Sequence, residues 1–263
     1  MNGAESGTRR VHRGPLLLVA AVAVAALAAV ALAPPMAQDP AYHRFADGRR
    51  LLGLDHFWNV ASSLAFTLAG LWGLRLHLRR RARGAEVPLA EWLFAFAVLL
   101  IGPGSAWYHL DPTTESLFWD RLAMAVAFMA LFAAVLGETV APAWRRHGLA
   151  PLLLLGVGSV LYWRLTERAG AGDLRPYALV QFLPPLLMVL LLALQGSRSY
   201  HAPSIWQALA CYALAKAAEL GDGVVMQATG VVSGHTLKHL LAAAACALIL
   251  RAFAGATGHT ARG

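Results

Sequence analysis

Residues 233–254 read SGHTLKHLLAAAACALILRAFA, and this stretch decides the fold. Between Lys238 and Arg251 it carries no charge. A helix needs about 20 mostly apolar residues to cross roughly 30 Å of hydrocarbon, and this run supplies them. Its polar start sets His235 and His239 four residues apart. At a rise of 1.5 Å per residue, both imidazoles leave one helix face about 6 Å apart along the axis. Such a pair can clasp one metal ion, and polar groups at this depth in a membrane are costly and usually functional.

Working outward, comparable stretches lie near 15–33, 57–77, 89–109, 117–139, 149–164, 177–195 and 204–220, with 235–254 as the eighth. The chain is 58% hydrophobic and 14% charged, too little polar surface for a soluble domain to cover itself. These features predict an all-α integral membrane protein, a seven-transmembrane-helix core preceded by one extra N-terminal helix. The expected organisation is a tail and first hydrophobic segment over 1–38, one membrane domain with short loops over 39–255, and a C-terminal tail over 256–263. Cys211 and Cys246 fall inside spans and read as packing residues.

The net charge of +8 belongs to topology and not to nucleic acid, because basic residues gather in alternate loops. Arg9, Arg10 and Arg13 precede the first span. Arg75, Arg79, Arg80, Arg81 and Arg83 follow the second, and Arg145 and Arg146 the fourth. The loops around Asp111–Glu115 and Gly221–Gly234 hold no Lys or Arg, which sets them outside and both termini in the cytoplasm. Arg44, Arg49, Arg50, Arg164, Arg168 and Arg175 run against that majority. The first segment, ending Ala31-Leu32-Ala33, also has the look of a signal peptide. Its apolar run of about 19 residues exceeds the usual signal core of about 7–15, so a retained span is the preferred reading. Residue 40 lies outside in either case.

The third span should end outside at Gly102-Pro103-Gly104-Ser105-Ala106-Trp107-Tyr108-His109, where glycines permit close packing. A short turn leads to Trp119-Asp120-Arg121, so Asp120 can meet His109 across the hairpin. His109 with His235 and His239 gives three protein ligands and leaves a tetrahedral position for water, the pattern of catalytic zinc. Bound zinc lowers the pKa of its water to about 7. Asp120 is then a candidate to orient that water or take its proton, and Ser105, one turn before His109, to hold it or donate to an oxyanion. Taken singly each residue has a plainer reading: Ser105 as packing, Asp120 as a helix cap or partner of Arg121, each histidine as an interfacial residue. Their conjunction carries the case.

His12, His77, His147, His201 and His259 fall on the inner side or in tails. His43 and His56 share the outer side but have no turn-spaced partner. Lys216 and Glu219 suit an ion pair, while Glu219 or Asp222 is a candidate to accept an N–H from a liganding imidazole. Pro184-Pro185 marks a kink.

In that helix order, Ser105, His109, Asp120 and His235-x-x-x-His239 resemble the membrane hydrolase superfamily of alkaline ceramidases and progestin and adiponectin receptors. The likeness covers roughly residues 42–254, and Phe57-Trp58-Asn59-Val60-Ala61-Ser62-Ser63 is similar to the motif opening the ceramidase core. Bacterial members are the nearest in likeness. The resemblance implies zinc on the three histidines, with Asp120 and Ser105 assisting hydrolysis of an amide or ester bond of a membrane lipid in a bacterial inner membrane. Two departures stand out. Ser62-Ser63 replaces the usual Ser-Asn, and His56 stands where a carboxylate commonly precedes Trp-Asn, with Asp55 one place away. Calcium, which animal ceramidases add through an acidic run, has only the scattered Asp39, Asp47 and Asp55 here. A non-enzymatic receptor or scaffold with a structural zinc site is the alternative. A haem carrier and a transporter fit less well, since an i, i+4 pair points at one small ion and no repeat-related broken helices appear.

Overall fold

The computed structural model describes residues 13–197 and 200–255; Arg9, Arg10, His12, His259 and the tail 256–263 lie outside the described residues. The described residues form nine α-helices and no strand: α1 Arg13–Leu32, α2 Phe57–Ala82, α3 Leu89–Leu110, α4 Thr114–Thr139, α5 Leu149–Arg168, α6 Arg175–Gln195, α7 Ala202–Leu220, α8 Asp222–Thr229 and α9 Gly234–Ala254. Seven of them, all but α7 and the short α8, are long and apolar enough to cross a membrane, which suggests a multi-pass membrane protein. Eight such spans were expected. The difference is α7, which at 19 residues is long enough but carries Gln207, Lys216 and Glu219 and falls short of a membrane span.

Helix ends depart from the sequence expectation where polar residues continue a helix beyond its apolar run. Helix α2 extends through Arg79, Arg80 and Arg81 to Ala82, because an exposed arginine is a good helix former. Helix α4 begins at Thr114 and not near Asp120. Thr113 caps it, accepting from the Ser116 backbone N–H while the Ser116 hydroxyl accepts from the Thr113 N–H. The expected loop before α9 contains the eight-residue α8, ended by Gly230 in the left-handed conformation.

Packing places α2, α3 and α4 side by side, closes α9 onto α2 and α7, and sets α5 and α6 behind α4, with α1 against α6. Small residues allow the closest approaches. A Cβ on Gly102 of α3 would stand 2.0 Å from Thr67 Oγ1 of α2, and one on Gly234 would stand 2.1 Å from the Ala218 carbonyl of α7. The outward faces are apolar, with Leu154 and Leu17 more than two-thirds exposed, whereas Asn59, Ser63 and Ser105 point inward and are buried. Alanine and phenylalanine fill the interior between α2, α3, α4 and α9, and Cys211 and Cys246 pack against it as free thiols. Pro184 and Pro185 lie inside a continuous α6.

Candidate metal centre

The last turn of α3 and the first two turns of α9 meet at one end of the bundle. There His109, His235 and His239 present one ring nitrogen each, all within 4.8 Å of one another and all buried. His109 Nε2 lies 3.3 Å from His239 Nε2 and 3.3 Å from His235 Nε2. Two bonds of about 2.0–2.1 Å at a tetrahedral angle subtend roughly this separation, so the donor set fits a single zinc-sized cation. Nitrogen atoms of three buried rings converging on one point have little other use, because a hydrogen bond between them satisfies only a pair.

Supporting contacts fix the rings. His239 Nδ1 is 2.8 Å from Ser62 Oγ, which itself donates to the Asn59 carbonyl at 3.1 Å. That chain makes Nδ1 the protonated nitrogen of His239 and leaves the Nε2 lone pair for a ligand role. Phe45 covers the group, with its ring centroid 4.7 Å from that of His109 and 4.6 Å from that of His235. Asp222 holds the start of α9 by accepting the His235 backbone N–H at 2.7 Å, and holds the Phe45 loop by accepting the Ala46 N–H at 2.9 Å. The sequence reading offered Asp222 or Glu219 as acceptor of an imidazole N–H. Asp222 acts on the backbone instead, and Glu219 receives Lys238 at 2.9 Å and, on its other oxygen, Lys216.

Ser105 is buried beside the centre and accepts from Ser63 Oγ at 3.0 Å. Asp120 sits two turns into α4 and shares a cavity with Ser105 and His239. Asp120 stands outside the group of mutually close donors that His109 belongs to. It is no helix cap, and Arg121 is not its ion-pair partner. The Arg121 guanidinium bonds Gln38 Oε1 at 2.7 Å and packs 4.2 Å from the Trp163 ring centre.

The remaining polar residues separate from the centre. His43 lies 3.0 Å from the Tyr108 hydroxyl and 3.2 Å from Thr114 Oγ1, and His56 contacts the Asp47 carbonyl at 3.1 Å. The carboxylates weighed for calcium are engaged one by one: Asp39 caps Ala41, Asp47 pairs with Arg49 at 2.7 Å, and the exposed Asp55 lies 3.8 Å from Arg50. The Arg49 hydrogen bonds hold the Asp47 carboxyl below its ordinary range.

The cavity has a volume of about 150 Å³ and runs from Ser105, Asp120 and His239 into an apolar interior that includes Phe66, Phe128 and Met188. Helices α6 and α7 both line it and pack only lightly on one another; Tyr212 of α7 reaches the Gln181 carbonyl of α6 at 3.4 Å. In the sequence Asn59, Ser62 and Ser63 stand out only as part of a motif. Their 0, 3, 4 spacing puts three polar side chains on one face of an apolar helix, a signal that would have joined them to the site. Nothing local marks Phe45. No protein-family model, curated protein or solved structure matches the chain.

Proposed function

We propose that this chain is a zinc-dependent hydrolase embedded in a membrane, cleaving an amide bond, ceramide-like, or an ester bond of a lipid. The observation that carries the reading is the three-imidazole group joined, through Ser105 and Asp120, to an apolar cavity. A structural metal site would draw its fourth ligand from the protein. Here the neighbouring carboxylate stands apart from the donor group, in line with an open position.

His109, His235 and His239 would hold the ion, with Ser62 fixing the His239 ring. Zinc in that place would supply Lewis acidity toward a carbonyl oxygen and toward water. Asp120 accepts the proton of the attacking water and returns it to the leaving amine or alcohol. Ser105, held by Ser63 and lining the same cavity as Asp120, donates to the oxygen on which charge develops. The acyl tail occupies the space among Phe66, Phe128 and Met188, and the lightly packed seam between α6 and α7 offers a lateral route from the lipid phase. The order of these residues along the helices resembles the alkaline ceramidases, whose bacterial members suggest a bacterial inner membrane, and the charge bias of the loops is in line with the centre lying near its outer face.

The test is metal analysis of purified protein together with mass spectrometry of a membrane lipid extract before and after incubation. One equivalent of zinc and release of free fatty acid, both lost in His109→Ala and His239→Ala, are expected. Full zinc and full turnover in either variant would sink the assignment. Stoichiometric zinc without change in any lipid would favour the second reading, a receptor or scaffold in which the ion staples α3 to α9.

A further inference from the structure

The cations at the polar end of the cavity exceed what the hydrolytic machinery uses. Arg121 is 5% exposed, yet among the described residues no carboxylate lies within ion-pair distance of it. Its guanidinium is held by a neutral amide, Gln38, and by the ring faces of Trp163, Tyr177 and Tyr42, while its Nη1 is buried with no hydrogen-bond partner. A buried cation left without an anion is costly, and a buried orphan donor adds to that cost. Lys238 and Lys216 both reach Glu219, so a single carboxylate faces two ammonium groups. Arg121, Lys216, Lys238, Glu219 and Asp120 all line the same cavity: three cations against two carboxylates. Helix-to-helix pairing alone would need one lysine for Glu219 and no arginine lodged among aromatics.

We infer that Arg121 and Lys238, supported by Lys216, form a subsite for an anionic headgroup, so that the lipid taken by this chain carries a negative charge beside its acyl linkage. The inference deepens the hydrolase reading and rests on it for the identity of the acyl bond. A phosphate and a carboxylate share the required chemistry, a compact anion accepting N–H donors from a guanidinium and an ammonium. Asp120, in the same cavity, keeps that anion from sliding onto the reacting carbonyl by like-charge repulsion.

Binding can be measured on the purified full chain in a neutral detergent by thermophoresis, using three probes with the same oleoyl tail: N-oleoylglycine, 1-oleoyl lysophosphatidic acid and the uncharged N-oleoylethanolamine. At least one anionic probe should bind tenfold or more tighter than the neutral one. Arg121→Gln and Lys238→Met, on different helices, should each remove most of that preference while leaving N-oleoylethanolamine within about twofold, and Lys238→Arg should keep it. Equal affinity for all three probes in the unmodified protein, or a preference unchanged in both neutral variants, overturns the subsite. Whichever anion binds tighter names the head as carboxylate or phosphate. Anionic preference without turnover of any probe by the zinc-loaded protein would leave the subsite standing and remove the hydrolase reading, so the two fail separately.

Discussion

Helix α3 carries a buried ionisable group near each end, and the two are used in opposite ways. Glu91, in its first turn, receives Arg80 at 2.6 Å and the Tyr200 hydroxyl at 3.0 Å. The neighbouring Glu138 receives Arg145 at 2.7 Å and the Tyr200 backbone N–H at 3.1 Å. Each of these two carboxylates meets a guanidinium, and the helices α2, α3 and α4 are tied together by the result. About 27 Å away along the same helix, His109 joins two other imidazoles, with no carboxylate in the donor group and a cavity alongside. Charge that is matched makes a staple, whereas donors that converge on each other and on open space make a site.

The largest way to break this comparison is to remove one imidazole. His239→Ala should abolish stoichiometric metal, read by plasma mass spectrometry, and with it all lipid turnover, while Glu91→Gln should leave metal content unchanged. Equal metal loss in both would mean the two ends do not differ as argued. Next, Asp120→Asn should keep its metal and lose about 10²–10⁴ in turnover, the range of a general base. An unaltered rate would strip Asp120 of that role. Ser62→Ala should weaken metal affinity by about 10–100-fold, measured by competition with a chelator, since the His239 ring then loses the acceptor that fixes its tautomer. At the stapled end the currency is stability: Glu91→Gln leaves Arg80 facing a neutral amide and should cost about 3 kcal/mol in unfolding.

The histidine end was readable in the sequence because its chemistry is local. His235 and His239 share a helical face, and Ser105 and His109 share another, so two i, i+4 pairs needed only the expectation that their helices end together. The stapled end was not readable. Arg80 was assigned to an anchoring loop, and its partner Glu91 lies 11 positions on, past the turn, where no spacing rule connects them. The same holds for Asp222, which accepts the backbone N–H of Ala46 from a loop 176 positions earlier in the chain, and for Phe45, an aromatic in a loop with no periodicity. The eight expected helices all form because apolar run length is a strong signal, although α7 falls short of a membrane span and α8 was not expected; helix ends shifted because caps such as Thr113 and trailing arginines are chemistry that hydropathy does not weigh.

A smaller effect sharpens the comparison by separating pairing from position. Asp173 precedes α6 at the same end as the histidines, but like Glu91 it is matched: Arg175 holds it at 2.8 Å and also donates to the carbonyls of Val30, at 3.3 Å, and of Ala33 at the end of α1. Hydrogen bonds from Arg175 pull its carboxyl down to about 2. A folded-state value below the unfolded one of about 3.9 gives stability that is complete above that pH and is lost as pH falls toward 2. Asp173→Asn should therefore lower the thermal midpoint by about 2–4 °C at pH 7, with the difference from the unmodified protein shrinking below pH 4 and metal content untouched. A variant that lost metal would show that neighbourhood with the histidines matters more than whether a charge has its partner. Midpoints that differ as much near pH 2 as at pH 7 would show that Asp173 acts through its shape and not its charge.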